Sequence, residues 1–181
     1  KGNFEKLVLS KVKLVKKKEK TNEIIFSSLC ENYPNAFVYH LNLPFAGEWM
    51  GASPEVLLNY KNGKMQTVAL AGTQKINDSK SEIQWGEKEK KEQQLVSDFI
   101  EEAFAKNKIE FEKSETKTVS SGNLAHLKKD FSAEITKEKL SGILSGLHPT
   151  PAVCGIEKEK ARQFISDTEK HRRSHYLFGE S

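Results

Sequence analysis

Leu147-His148-Pro149-Thr150-Pro151-Ala152-Val153-Cys154-Gly155 is the stretch that constrains the fold of this chain most strongly. Two prolines flank a threonine, and small residues lead into a Lys/Glu-rich segment with helical spacing. The prolines fix φ and stiffen the turn, while Gly155 permits a close backbone approach or a left-handed conformation. A rigid loop of this kind suits a functional site. From these residues alone, a proline-rich connector between two helices is the simpler interpretation.

Length and composition favour one globular domain. The 181 residues include enough Leu, Ile, Val and Phe for a sizeable core, although 30% of the residues are charged. No apolar run approaches the roughly 20 residues that span a bilayer, and no signal peptide is visible. We therefore expect a cytoplasmic protein without membrane contact. Cys30 and Cys154 lack metal-ligand spacing, which agrees with reduced thiols in that compartment.

The net charge of +4 gives little reason to expect a nucleic-acid partner. Acidic and basic residues are interleaved, and only residues 11–20 form a basic cluster. A nucleic-acid-binding module would gather basic residues on one face, with aromatic residues or a known motif, and neither is visible. A solvated strand end explains the cluster better, and a basic binding module stays open as an alternative that requires salt-sensitive binding.

Hydrophobic periodicity predicts an α+β fold with helices inserted between antiparallel strands. Phe4 to Lys17 alternates as a long strand would, and Thr21 or Asn22 caps a short helix that Pro34 ends. Lys61-Asn62-Gly63-Lys64 predicts a hairpin turn. The other predicted strands cover residues 36–42, 48–53, 56–70, 109–120 and 124–136, and the other helices cover 84–106, 137–147 and 157–171.

Four sequence blocks occur in an order that is typical of one enzyme family. They are Lys6-Leu7-Val8-Leu9-Ser10-Lys11, then Ser53-Pro54-Glu55 followed by Leu70-Ala71-Gly72-Thr73, then Glu87-Lys88 followed by Glu92 and Val96, and finally the stretch from Leu147 to Gly155. With these blocks the chain resembles the isochorismate synthases, a branch of the chorismate-utilising enzymes. The resemblance implies the chorismate-binding fold, with large, mostly antiparallel sheet layers and helices packed outside. It also implies that residues 1–181 are a single catalytic domain truncated at both ends.

Lys6 is the candidate general base. In the predicted strand it shares a face with Phe4, Val8 and Val12, where desolvation favours an uncharged amine. From the pattern alone, a lysine that reaches solvent near a strand end is the simpler interpretation. The resemblance implies that Lys6 activates the attacking water. Anthranilate synthases usually carry glutamine at this position, so the residue also distinguishes branches of the superfamily.

Glu55 is the candidate general acid. It follows Pro54 and precedes the apolar run Val56-Leu57-Leu58, and a carboxyl group beside apolar neighbours can be held protonated. An exposed turn residue fits the same spacing. The resemblance implies that this glutamate protonates the departing C4 hydroxyl of chorismate.

Three further residues are candidates for substrate binding. Gly72 lets backbone amides approach a ligand closely and Thr73 adds a hydroxyl, although a glycine that simply ends a strand is the alternative. The resemblance implies that this block lines the substrate pocket and that His126, on a predicted strand, lies in the active site. Ala71 occupies the position where aminodeoxychorismate synthases commonly place a nucleophilic lysine.

Glu92 is the candidate metal ligand. Helical spacing places it on one stripe with Val96, Phe99 and Ala103, where a carboxylate needs a cation as partner. An amphipathic helix whose stripe becomes polar at its start explains the pattern as well. The resemblance implies that Glu92 binds Mg²⁺, which keeps several waters and can bridge to a substrate carboxylate. Gln93 stands where many relatives have His or Asn, and we expect this change to be tolerated.

The sequence therefore predicts a Mg²⁺-dependent isochorismate synthase that acts on chorismate without an obligate protein partner. Glu169, Arg173 and Tyr176 resemble a C-terminal block of the family, whose second metal-binding glutamate and carboxylate-binding arginine are expected beyond Ser181.

Three alternatives stay open: a salicylate synthase, the chorismate-binding component of an anthranilate or aminodeoxychorismate synthase, and an inactive protein or fragment on the same scaffold. Salicylate synthases can share Lys6 and the Leu70 to Thr73 block, so only the Leu147 to Gly155 loop argues against them.

Overall fold

The computed structural model describes residues 4–16, 21–53, 55–76, 83–121, 124–171 and 173. They divide into two compact units, one within residues 1–9 and 56–172 and the other within residues 10–55 and 173–181. Helices and antiparallel strands confirm the predicted α+β class, while the single catalytic domain stays a prediction. Pro54, Tyr176 and part of the basic cluster lie outside the described residues. Among the helices that are described, none has the length and apolar character to cross a membrane.

The second unit consists of a helix followed by a hairpin. Helix α1 covers Asn22–Asn32 and begins where the sequence predicts, because the Thr21 hydroxyl accepts a hydrogen bond from the Ile24 N–H over 3.4 Å. Strands β1 (Phe37–Leu43) and β2 (Gly47–Ser53) pair antiparallel, as their predicted positions suggest.

The first unit is built on a five-stranded antiparallel sheet. Its strands are β3 (Asn59–Lys61), β4 (Lys64–Lys75), β5 (Glu112–Lys113), β6 (Lys117–Ser121) and β7 (Leu124–Glu134). Their order is β3-β4-β7-β5, and β6 also pairs with β7. Asn62 and Gly63 both have positive φ in the turn from β3 to β4, which confirms the predicted hairpin.

One face of this sheet forms the core with helix α2 (Glu87–Lys106). Side chains alternate between the faces of a strand, so Met65, Ala69 and Ala71 of β4 are buried on the same side. Phe104 of α2 is completely buried between two other aromatic rings of the core. Its ring centroid lies 5.0 Å from that of Phe111 and 6.2 Å from that of Phe131. The remaining helices are α3 (Leu140–Leu147), which follows a 3₁₀ turn over Lys137–Lys139, and α4 (Lys158–Thr168).

The predicted strand over Phe4 to Lys17 is wrong. Across residues 4–16 the structure contains one isolated antiparallel bridge, from Leu7 to Gly155, and no ladder. A strand needs a neighbour along its whole length to satisfy its backbone groups, and this segment has one only around Leu7. Alternation in a sequence shows which face is apolar and cannot show whether a neighbour exists. The predicted strand over residues 109–120 is likewise divided into the short strands β5 and β6.

Gly72 inserts one extra residue into β4. Ala71 pairs with Leu127 and Thr73 pairs with His126, so the register shifts by one residue at the glycine. Its φ of +72° suits glycine, and bulges of this kind place glycine in the left-handed region. Because a shift of one residue moves the following side chains to the opposite face, the bulge turns Thr73 away from α2 and onto the face of His126.

The same glycine allows α2 to lie close to the sheet. A Cβ atom at Gly72 would be 3.1 Å from the carbonyl oxygen of Glu89 and 3.2 Å from its Cβ, in the first turn of α2. The bulge therefore determines both the face of Thr73 and the distance between helix and strand.

We expect Gly72→Ala to lower the free energy of unfolding by more than Gly63→Ala does. Both glycines have positive φ, so alanine introduces backbone strain of about 1–2 kcal/mol at either position. At Gly72 the new Cβ also meets the backbone of α2, whereas open space surrounds it at Gly63. Overpacking should add about 1–3 kcal/mol. Urea unfolding of both variants measures the difference, and equal losses would contradict the close helix approach.

Candidate active site

Lys6 and Glu92 form an ion pair, with 2.8 Å between Lys6 Nζ and Glu92 Oε1. The residues are 86 positions apart and belong to different sequence blocks. The Lys6 side chain is 17% exposed and the Glu92 side chain 36%, so the carboxylate is the more accessible partner. The structure thus brings the predicted general base and the predicted metal ligand into direct contact.

The main chain at Lys6 is held by the end of the Leu147 to Gly155 loop. The Ile156 N–H donates to the Lys6 carbonyl oxygen over 2.9 Å, and the Val8 N–H donates to the Cys154 carbonyl oxygen over 3.0 Å. The loop that stands out in the sequence is therefore more than a connector between helices, because it fixes the backbone that carries the candidate base.

Glu92 lies near the margin of the buried face of α2, and the predicted stripe is confirmed, since Val96 and Ala103 are buried and Phe99 packs against the core. The adjacent Gln93 is 3% exposed, and its Nε2 donates to the Ala69 carbonyl oxygen on β4 over 3.3 Å. One residue corresponds to about 100° of rotation around a helix, so Gln93 faces the sheet while Glu92 faces Lys6. We expected the change to Gln93 to be tolerated, and the structure shows in addition that its amide links helix α2 to strand β4 ahead of Gly72. Its position beside the apolar stripe was the signal for this contact.

Thr73 and His126 contact each other across β4 and β7, with 3.1 Å between Thr73 Oγ1 and His126 Nδ1. They become partners only because Gly72 shifts the register between the strands. Three residues that were predicted to bind substrate therefore lie together at one end of this ladder. The structure shows Gly72 as the residue that forms the bulge. Binding of substrate by these three residues stays a prediction.

Glu55 belongs to the second unit, two residues after the end of β2. Its N–H donates to the Ser53 hydroxyl oxygen over 3.4 Å, and the same hydroxyl donates to the Glu55 carbonyl oxygen over 3.4 Å. These bonds link Ser53 to Glu55, and Glu55 is half-buried. Its role as general acid stays a prediction.

Lys158 fastens the loop to the end of α3. Its Nζ donates to the Ser145 carbonyl oxygen over 2.8 Å and also to the His148 carbonyl oxygen. The last carbonyl groups of a helix lack partners within the helix, so a lysine placed there satisfies them. Burial lowers the pKa of His148, and the positive charges of Lys158 and Arg162 lower this pKa further. His148 is therefore neutral near pH 7 and adds no charge to the loop.

Glu92 is the carboxylate that the described residues place against Lys6. Within the described ranges no group of three or more His, Cys, Asp and Glu residues could hold a metal ion. Mg²⁺ is often bound by one or two carboxylates together with waters and substrate oxygens. Glu92, with an accessible carboxylate, fits a Mg²⁺ ion that binds jointly with a substrate and does not fit an ion held by these residues alone.

Comparison with known proteins connects this site to a family. The family model described as chorismate binding enzyme matches residues 1–177. Isochorismate synthase EntC of Escherichia coli is 26% identical over 86% of this chain and 42% of its own length. The chain spans less than half the length of the first curated relatives that it matches.

Solved structures share the fold. MenF, the menaquinone-specific isochorismate synthase from Escherichia coli, has a TM-score of 0.73 at 23% identity, over 82% of this chain and 36% of that chain. Anthranilate synthase component I from Streptococcus pneumoniae has a TM-score of 0.74 at 20% identity, over 87% of this chain and 36% of that chain. The scaffold is thus common to enzymes with different products.

We expect Lys158→Met to raise the pKa of His148, because the variant removes a neighbouring positive charge. The rise should be partial, since burial is the larger cause and persists. In the wild type the unfolded chain binds a proton at His148 more readily than the folded chain does. The free energy of unfolding therefore decreases as the pH falls through the ordinary histidine pKa. The decrease should be smaller in Lys158→Met. NMR titration of the imidazole measures the change. Lys160→Met, at a lysine whose side chain is 72% exposed, is the control and should leave the pKa of His148 unchanged. The same His148 pKa in both variants would contradict the influence of the Lys158 charge on His148.

Proposed function

Because this chain belongs to the chorismate-binding enzymes, we propose that it carries out the Mg²⁺-dependent conversion of chorismate to isochorismate. The contact between Lys6 and Glu92 is the observation that carries the proposal, since it joins a candidate base to a candidate metal ligand. The isochorismate synthases EntC and MenF among its relatives support the same reaction.

The reaction exchanges one hydroxyl group for another. Water adds at C2 of chorismate, the ring double bonds rearrange, and the C4 hydroxyl leaves as water. This exchange needs a base for the incoming water and an acid for the leaving group. We assign the base to Lys6 and the acid to Glu55, so that one proton is taken up and one is delivered in each turnover.

Glu92, the ion-pair partner of Lys6, would hold the Mg²⁺ ion. When bound, this ion would supply a positive charge that anchors the ring carboxylate of the substrate. An ammonium group has no lone pair, so Lys6 acts as the base in its neutral form.

We assign Thr73 and His126 to the binding of substrate oxygens. With the Thr73 hydroxyl donating to Nδ1, a neutral His126 keeps its proton on Nε2 and can donate it to a ligand. The Gly72 bulge supports this assignment because it places both side chains on the sheet face that α2 leaves open.

The nearest alternatives share this scaffold, so residue identity and product must separate them. Lys6 and Ala71 favour the addition of water over the amine-forming reactions, which the resemblance links to glutamine or lysine at these positions. A salicylate synthase is separated by its products, salicylate and pyruvate. Absence of conversion by the wild-type protein would favour an inactive scaffold.

We expect Lys6→Ala and Glu55→Gln each to lower the rate of chorismate conversion by about 10²–10⁴-fold, because each removes a group that transfers a proton. The assay uses the full-length protein with Mg²⁺ and identifies the product by chromatography. Lys91→Ala removes a more exposed ion-paired lysine, and Glu31→Gln removes an exposed glutamate in the same unit as Glu55. Both control variants should keep wild-type turnover. Wild-type turnover in Lys6→Ala or Glu55→Gln would refute the role of that residue.

We expect Glu92→Gln to raise the Mg²⁺ concentration for half-maximal activity by at least about tenfold, because an amide is a poorer ligand than a carboxylate. Glu87→Gln, at a side chain that is 92% exposed on the same helix, is the control and should not change this concentration. Calorimetric titration with Mg²⁺ should show binding that is much weaker without chorismate than with it. An unchanged Mg²⁺ requirement in Glu92→Gln would exclude this carboxylate as a ligand.

A further inference from the structure

We propose that Gly155 is a positioning residue for Lys6 and that residues 154–156 form a seat that holds the candidate base against Glu92. The proposal rests on the proposed function for the role of Lys6 in catalysis. The geometry of the seat stands independently of that role, since it follows from backbone contacts alone.

Two main-chain hydrogen bonds join the seat to the Lys6 segment on either side of Gly155. Ile156 donates to the carbonyl oxygen of Lys6 itself, and Cys154 accepts from Val8. Between them, Leu7 and Gly155 face each other in the isolated bridge. Lys6 is thus attached through its own backbone, so its Cα position follows the seat.

Glycine is required where the two backbones meet. The φ of Gly155 is +139°, a region that L residues rarely adopt. A Cβ atom there would overlap the Lys6 carbonyl oxygen and lie 3.1 Å from the Cα of Leu7. Both are backbone atoms, which cannot rotate away as the end of a side chain can. A larger residue must therefore push the Lys6 segment away or break its hydrogen bonds.

The seat is more firmly held than the segment it carries. Pro151 and Cys154 are completely buried, and the carbonyl oxygen of Thr150 accepts from the N–H groups of Val153 and Cys154 over 3.1 and 3.0 Å. Residues 4–9, by contrast, form one isolated bridge and no ladder, and they are exposed or half-buried. A clash at Gly155 should therefore displace Lys6 rather than the loop.

A second contact holds the same segment against helix α4. The ring of Phe4 meets the ring of Phe164 on α4 edge to face, with centroids 5.2 Å apart. Phe164 is 40% exposed, so truncating its side chain should lower the free energy of unfolding less than a change in the buried loop does. Phe164→Ala is thus a milder way to loosen Lys6.

The test measures the accessibility of the Lys6 amine in the full-length protein. Reductive dimethylation is followed by proteolysis, and mass spectrometry gives the labelling rate of each lysine. In the wild type, Lys6 should react slowly because its side chain is 17% exposed and ion-paired, and Lys106, which is 71% exposed and paired within α2, serves as the internal reference. Gly155→Ala should raise the Lys6 rate severalfold and leave the Lys106 rate unchanged. Gly63→Ala adds the same methyl group at positive φ in open space and should leave both rates unchanged.

Steady-state kinetics connect the seat to catalysis. Gly155→Ala should lower kcat by about 100-fold, because small displacements of a reacting group have effects of this size. KM should stay within about twofold, since no substrate-binding group is altered. An unchanged Lys6 labelling rate in Gly155→Ala would overturn the proposal, whether or not activity falls. If circular dichroism shows that Gly155→Ala does not fold, the labelling rate of Lys6 is measured in Phe164→Ala instead. An unchanged Lys6 rate in Phe164→Ala would then overturn the proposal.

The two proposals fail in distinguishable ways. A wild-type protein that does not convert chorismate refutes the proposed function, while faster labelling of Lys6 in Gly155→Ala still supports the seat. Normal turnover with faster labelling would show that Lys6 is displaced without consequence, and this result would overturn the positioning role of Gly155.

Discussion

The backbone attachment of Lys6 to residues 154–156 is the constraint on which the site depends. A partly exposed ion pair such as Lys6–Glu92 contributes about 0–1 kcal/mol, too little to order an extended segment by itself. The main-chain bonds to Cys154 and Ile156 add about 0.5–1.5 kcal/mol each, and the buried loop behind them is already ordered. The ion pair is therefore a result of two rigid supports, the loop and helix α2, and is not what stabilises them.

Two glycines place the two halves of that ion pair. Gly155 brings the backbone of Lys6 against the loop, and Gly72 brings the first turn of α2, at Glu89, against β4. Glu92 follows one turn later on the same helix. In both places a missing Cβ allows backbone to approach backbone, so the distance between the charged side chains depends on two residues that carry no functional group.

The sequence predicts those features whose causes are local. Thr21 caps α1 through its own hydroxyl, and Asn62-Gly63 forms a turn because both residues accept positive φ. The false strand after Phe4 has another origin, since the segment's backbone partner lies near Gly155, at a distance in sequence that alternation does not report. On α2 the predicted stripe of Val96, Phe99 and Ala103 is confirmed, and the contact of Gln93 with the sheet is an addition that the pattern did not specify. Both Glu92 and Gln93 fit an amphipathic helix, and only the neighbouring strand shows which of them faces the sheet. The block motifs located the members of the candidate site, and the tertiary contacts revealed how they are held.

Because enzymes with different products share this fold, the product would depend on individual side chains. Anthranilate synthase component I has nearly the same TM-score to this chain as MenF, so both share the arrangement of strands and helices with it. Ammonia carries a lone pair that can attack directly, whereas neutral water is a poor nucleophile and gains from a base beside it. Under the proposed function, a lysine held at the site through its own backbone would supply such a base, and Ala71 provides no amine of its own. The selection of water over ammonia or lysine would then follow from Lys6 and Ala71 together, on a fold that accommodates all three nucleophiles.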